Sequence, residues 1–309
     1  MKAIFEFTDD LGVEAVSGAI RGTAFAKINL YLHVVGKRAD GYHLIDSLVA
    51  FVGIGDRLTV TPSEGLRLEI GGPFATPLQT ANTSENLVLR AARQLSEEAG
   101  VRADALISLE KLLPIAAGLG GGSADAATTL RALSNLWKID ISMDDMARLA
   151  LKLGADVPVC LGGRASRVTG IGEIIEPTPT LPEAFVILAN PQLDLETARV
   201  YRELRREEWS KQSTFSEYPG SVHALAKLLA DCQNDLEQPA ERLAPIITDV
   251  LASLSDLPDC LLARMSGSGA TCFALFASSS AAEDGAQQLF RRCPSWWICA
   301  APLVYDIGE

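Results

Sequence analysis

A chain of 309 residues with 48% hydrophobic, 21% charged and 6% aromatic residues has the balance of an ordinary globular protein and room for two cores. Its formal charge of −12 argues against a nucleic-acid partner, whose phosphates the mean field would repel, so an anionic ligand must be held by local donors. No uncharged apolar stretch approaches the ~20 residues that cross a bilayer, and Lys2, Glu6, Asp9 and Asp10 stand where a secretion signal needs an apolar core; no membrane partner and a cytoplasmic location are expected.

From residue 24 to 35 the chain alternates. Ile28, Leu30, Leu32 and Val34 point one way and Lys27, Asn29, Tyr31 and His33 the other, which predicts a strand with one buried face. A polar turn over 37–41 leads to a second extended segment, 44–60, punctuated by Gly53, Gly55 and Asp56. Thr83 or Ser84 is predicted to cap a helix that buries Leu87, Val88, Ala91, Ala92 and Leu95 and stops at Gly100. A strand over 106–109 then leads into the most informative stretch of the chain.

That stretch reads Pro114, Ile115, Ala116, Ala117, Gly118, Leu119, Gly120, Gly121, Gly122, Ser123, Ala124 and Asp125. Glycine permits positive φ and close approach to a ligand, and the first turn of the following helix leaves N–H donors free beside partial positive charge. The pattern predicts a phosphate cradle, with Ser123 as the helix cap. It is not a Walker A loop, because no Lys-Ser or Lys-Thr pair follows the last glycine. Nor is it a dinucleotide fingerprint, since Ser123 stands where the third glycine belongs.

Ser142 and Asp145 form a capping box for a helix carrying Met146, Leu149, Ala150 and Leu153 and ending at Gly154. Asp156 follows at a chain reversal before an apolar strand, in a position to face a cleft. The proline-dense run 176–182 opposes helix and sheet alike and marks a boundary between domains 1–177 and 178–309. Beyond it come a strand over 185–189, helices from Thr197, Val222 and Ala244, and a turn at Ser266, Gly267, Ser268 and Gly269 before a strand over 272–276. Strands and helices mixed on both sides of the boundary predict an α+β plan. Cys160, Cys232, Cys260, Cys272, Cys293 and Cys299 include no C-x-x-C pair and only three histidines accompany them, so reduced thiols are expected and no metal site.

Five segments in this order, Ala26-Lys27-Ile28-Asn29-Leu30, Asp40-Gly41-Tyr42-His43, the glycine loop, Gly154-Ala155-Asp156-Val157-Pro158 and Ser266-Gly267-Ser268-Gly269-Ala270, resemble the GHMP kinase superfamily. Within it they are most similar to the branch acting on a CDP-linked methylerythritol, over residues from about 22 to the end. The resemblance implies a ribosomal-protein-S5-like ATP domain, a ferredoxin-like α/β C-terminal domain and an active site between them. It implies transfer of the γ-phosphoryl group of ATP, with Mg2+, to the 2-hydroxyl of that small-molecule substrate, by a monomer or homodimer.

Residue by residue, Asp156 would accept the hydroxyl proton and Lys27 would position it. The loop from Pro114 to Ala124 would hold ATP, with Asn86 and Lys111 near adenine. Asn29, Tyr42, His43, Thr197, Tyr201, Gly267, Ser268 and Gly269 would hold the substrate. His43 suits the edge of cytosine, Tyr42 one face and Tyr201 the other. No protein ligand of Mg2+ is implied, since that ion often keeps water and phosphate ligands. Val49 stands where an aromatic wall of the substrate pocket is expected. A kinase of the same superfamily acting on homoserine, mevalonate or a sugar, or a non-catalytic nucleotide sensor of the same fold, are the alternatives.

Overall fold

A long antiparallel pair, β2 (Ala19–Lys37) and β3 (His43–Thr61), is the frame on which the rest of the chain is hung. The structure is a computed structural model and describes residues 13–80, 86–213 and 219–307. The expected one-faced strand is instead buried on both faces: Lys27, Asn29, Tyr31 and His33 are as enclosed as Ile28 and Leu30. Register shifts at Phe25/Ala26, Asn29/Tyr31 and Val34/Gly36 break the alternation, the usual means by which a strand re-aims side chains near a site.

β3 outruns any single neighbour and is shared along its length. Its far end, from Arg57, pairs with β5 (Ala105–Glu110), its near end with β6 (Ser166–Gly170), and Phe51 and Val52 between them with β11 (Trp297–Val304). β11 pairs in turn with β8 (Phe185–Asn190), which continues through β10 (Cys272–Phe276) to β9 (Leu262–Met265). A hairpin strand β1 (Val13–Val16) lies on β2, β4 (Leu66–Gly71) runs parallel to β5, and β7 (Ile174–Pro177) pairs with β6.

After α1 (Thr76–Thr80), α2 (Leu87–Ala99), α3 (Gly121–Trp137), α4 (Met143–Leu153) and α5 (Val157–Gly162) share one apolar cluster with β3 and β5. α6 (Thr197–Glu203), α7 (Val222–Ala230), α8 (Glu237–Leu243), α9 (Ile246–Ser255) and α10 (Ser279–Arg292) accompany the strands that follow. Their clusters join Leu225 and Leu229 to β8 and β10, and Ile247, Val250 and Leu289 to Phe276.

Three local expectations are corrected. α2 is capped by Asn86, whose side-chain oxygen accepts from the Val88 amide at 2.9 Å; Thr83 and Ser84 lie outside the described residues. Gly100 ends that helix in the left-handed region at φ 65°, as predicted. α3 begins at Gly121 with Gly120 as its cap, so Ser123 lies within the first turn rather than before it. Residues 157–162 form a helix and not a strand, because proline is tolerated in a first turn and the buried face of Val157, Val159 and Cys160 packs with that of α3. Ser142 caps α4 through the Asp145 amide, as expected.

Among the described residues no helix is long and apolar enough to cross a membrane. All six cysteines are free thiols, four buried and two half-buried. Val49 is buried in the apolar core beside Phe51 rather than in a pocket wall.

Candidate active site

Where β2, the glycine loop and the 266–269 turn meet, the chain leaves a cleft of about 1150 Å³. The loop is tied to the strand by the Lys27 amide, which donates to the Leu119 carbonyl at 2.9 Å. Gly120 has φ 65°, and a Cβ there would fall 2.6 Å from Cγ of Lys27. Only glycine fits, because the lysine stem lies directly beneath it. Gly118 has φ 74°, and its Cβ would lie 2.3 Å from the Ser266 carbonyl. The 266–269 turn therefore closes on the loop, fastened by the Ser266 hydroxyl donating to the Gly118 carbonyl at 2.9 Å.

Lys27 is buried at 6% side-chain exposure, contrary to a solvated strand lysine. Its ammonium donates to Asn29 Oδ1 at 2.8 Å and pairs with Asp156 Oδ2 at 3.2 Å. Asn29 is fixed in turn, its side-chain amide donating to Ser47 Oγ at 2.8 Å and its backbone amide to Ser266 Oγ at 3.2 Å. Asp156 sits at the start of α5, makes no side-chain cap bond and keeps 46% of its side chain exposed to the cleft. A buried cation thus holds an accessible carboxylate.

At the other end of the cleft the His43 ring stacks on Tyr201, with centroids 5.1 Å apart and planes 23° apart. Trp209, which sequence reasoning missed, meets His43 edge-on at 6.1 Å and 88°. Burial, with Lys37 nearby, lowers the His43 pKa and favours the neutral ring. Tyr42 stands 61% exposed at the rim, and Tyr201 has His43 on its face. Thr197 and Ser268 share a hydrogen bond at 2.8 Å across the cleft.

All of the expected site residues line this cleft except Ala124, buried in α3, and Gly269, turned toward Met265. Lys111 is not a solvated lysine: it is buried and donates to Asp56 and, at 2.6 Å, to Asp125. Its backbone neighbours, the amides of Leu112 and Leu113, donate to the other oxygen of Asp56 at 2.6 and 2.9 Å. Sequence reasoning gave Asp56 and Asp125 no part in the site, because they lie 55 and 14 residues from the lysine that joins them. Among the described residues no group of three or more His, Cys, Asp and Glu could hold a metal ion. Ser123 and Asp156 place oxygen donors along the cleft, the hard ligand type that Mg2+ takes together with water and phosphate.

Residues 86–164 match the family GHMP kinases N terminal domain, and residues 213–295 match GHMP kinases C terminal. The chain belongs to the GHMP kinase family, and its α+β architecture is the fold of that family. It is 49% identical, over 309 residues covering 100% of this chain and 98% of the relative, to 4-diphosphocytidyl-2-C-methyl-D-erythritol kinase of Rhodospirillum rubrum. A protein of the same name from Cereibacter sphaeroides is 51% identical over 284 residues, 91% of this chain and 98% of the relative. Among solved structures, a 4-(cytidine 5'-diphospho)-2C-methyl-D-erythritol kinase is 36% identical with a TM-score of 0.74, covering 92% of this chain and 98% of that one. A homoserine kinase from Cytophaga hutchinsonii, 19% identical with a TM-score of 0.70 over 95% of this chain and 96% of that one, shares the fold.

Proposed function

We propose that this protein transfers the γ-phosphoryl group of ATP to the 2-hydroxyl of 4-diphosphocytidyl-2-C-methyl-D-erythritol, in the cytoplasm and in the methylerythritol phosphate route to isoprenoid precursors. The observation that carries the reading is the Lys27–Asp156 pair at 3.2 Å, with the glycine loop lying on the lysine and the stacked rings of His43 and Tyr201 lining the same cleft. Phosphoryl transfer asks for an oriented alcohol and positive charge where oxygens crowd, and little covalent help.

In this reading the amides at the start of α3 take the triphosphate, and Mg2+ enters with it as part of the substrate. Asp156 accepts the hydrogen bond, and then the proton, of the acceptor hydroxyl. Lys27 holds Asp156 in place and neutralises the charge that gathers between carboxylate and γ-phosphate. His43 reads the cytosine edge, and Tyr42 and Tyr201 offer ring faces. Asn86 and the backbone at Lys111 lie near adenine. Residues 1–177 then form the ATP half and 178–309 the closing half, and no nucleic acid or membrane takes part.

An ADP-release assay with the cytidyl alcohol, homoserine and mevalonate offered separately tests the assignment. Turnover with the cytidyl compound at least 10²-fold above the others is expected. Equal use of an acceptor that lacks cytosine would overturn it, and no ADP release with any acceptor would favour a sensor.

A further inference from the structure

Beneath the phosphate loop lies a set of three charges that the reaction does not use. Asp56 leaves β3, Lys111 follows β5, and Asp125 stands in the first turns of α3; all three are buried. The Lys111 ammonium donates to one oxygen of each carboxylate, and Asp56 takes the Leu112 and Leu113 amides on its second oxygen. The second oxygen of Asp125 is buried with no hydrogen-bond partner, although the residue borders the nucleotide cleft. Gly121, whose amide opens α3, rests on this set: a Cβ there would lie 3.5 Å from Asp56 Oδ2 and 3.6 Å from Lys111 Nζ.

Two carboxylates and one ammonium cost desolvation that a plain apolar packing would avoid, and breaking such a cluster leaves charge buried. What the cluster provides is position. Three segments distant in sequence are locked to one nitrogen directly below the amides that face the cleft.

We infer that Asp56, Lys111 and Asp125 form a positioning anchor for the phosphate loop, which aims the α3 amides at the nucleotide, and that the Lys111 ammonium itself makes no phosphate contact. The inference rests on the proposed ATP site. Lys111 is spent on carboxylates, and its charge reaches the triphosphate only through the placement of residues 112–122.

Equilibrium binding of a non-hydrolysable ATP analogue to the full-length protein separates this from a direct electrostatic role. Asp125→Ala cuts the tie between α3 and Lys111, while Asp125→Asn keeps an oxygen that the ammonium can reach. An anchor requires the alanine variant to bind the analogue about tenfold more weakly and the asparagine variant to stay within twofold of the unsubstituted protein. Affinity for CDP, the probe for the other end of the cleft, should stay unchanged in both. With binding measured at pH 8, where the Asp125 carboxyl is mostly ionised, a lysine acting on phosphate directly gives the opposite sign, because either substitution removes the same negative charge and would tighten binding equally.

Equal effects of the two substitutions, or unchanged affinity in the alanine variant, would overturn the anchor. If Asp125→Ala does not fold, Asp125→Ser serves the same comparison, its hydroxyl too short to reach Lys111. Failure of the unsubstituted protein to bind the analogue would instead count against the ATP site itself.

Discussion

At the level of single residues, Lys27 and Asp156 divide their labour by exposure. The cation is buried and triply constrained by its strand, by Asn29 and by the loop above it, while the carboxylate reaches solvent. Replacing Asp156 by alanine should therefore remove orientation of the acceptor without touching the phosphate grip. A fall in kcat on the order of 10² is expected, with the affinity for an ATP analogue nearly intact; a variant turning over at the normal rate would take Asp156 out of the mechanism. Asp125 offers a separate, pH-dependent test. Burial, with Asp56 nearby, raises its pKa to about 7 against the pull of Lys111. Burial opposes the charge of Lys111 too, but the two carboxylates outweigh it and its pKa is raised. A carboxyl pKa higher in the fold than in the unfolded chain, where it is ~4, means that the fold holds the extra proton between those values; this contribution to stability is lost as pH rises from about 4 to 7. The melting temperature of Asp125→Asn relative to the parent should accordingly rise between pH 5 and pH 8. A difference that stays constant over that range would refute the shifted titration.

At the level of elements, the glycine loop and α3 show how far local chemistry carries. Four glycines leading into an apolar helical run were enough to announce an anion cradle; Gly118 and Gly120 take positive φ, at 74° and 65°, while Gly121 and Gly122 open α3 itself. Gly120→Ala should cost roughly 1–2 kcal/mol from the left-handed backbone alone and displace Lys27 as well. We expect kcat to fall at least tenfold with a melting temperature lowered by only a few degrees, and normal turnover would show that the lysine tolerates displacement. What the chain did not announce were features made by tertiary packing. Val157-Pro158-Val159 has the composition of a strand, yet α3 gives its apolar side a partner in helical form. The cap of α2 fell on Asn86 because its side chain could reach the Val88 amide. The roles of Trp209 and the Asp56 carboxylate left no trace, since each matters through a partner far away in sequence, His43 or Lys111.

Across the whole molecule, the long-range ties are polar as well as apolar. Arg264 on β9 is buried and donates to the carbonyls of Leu30 at 2.7 Å, Leu229 at 2.9 Å and Cys232 at 2.6 Å, so that one side chain joins β2, α7 and the sheet. Arg264→Met would take the arginine from the Leu30 and Cys232 carbonyls, each costing roughly 1–3 kcal/mol, while the Leu229 carbonyl keeps the Cys232 amide at 3.0 Å. A loss of at least about 2 kcal/mol in chemical unfolding is expected, and a loss below about 1 kcal/mol would show that water takes over these acceptors. The α+β plan was readable from the mixture of elements, and the family from five short segments. The course of the sheet was not, because β11 pairs at one end with β3 and along its length with β8, and nothing in residues 297–304 names either neighbour. That placement has a consequence for biosynthesis. β11 is the last described strand to emerge from the ribosome, so until Trp297 and its successors appear, β3 and β8 each present an open edge to solvent. Premature termination before this strand would leave both edges available for pairing with another nascent chain, and the insertion of β11 is the step that seals them.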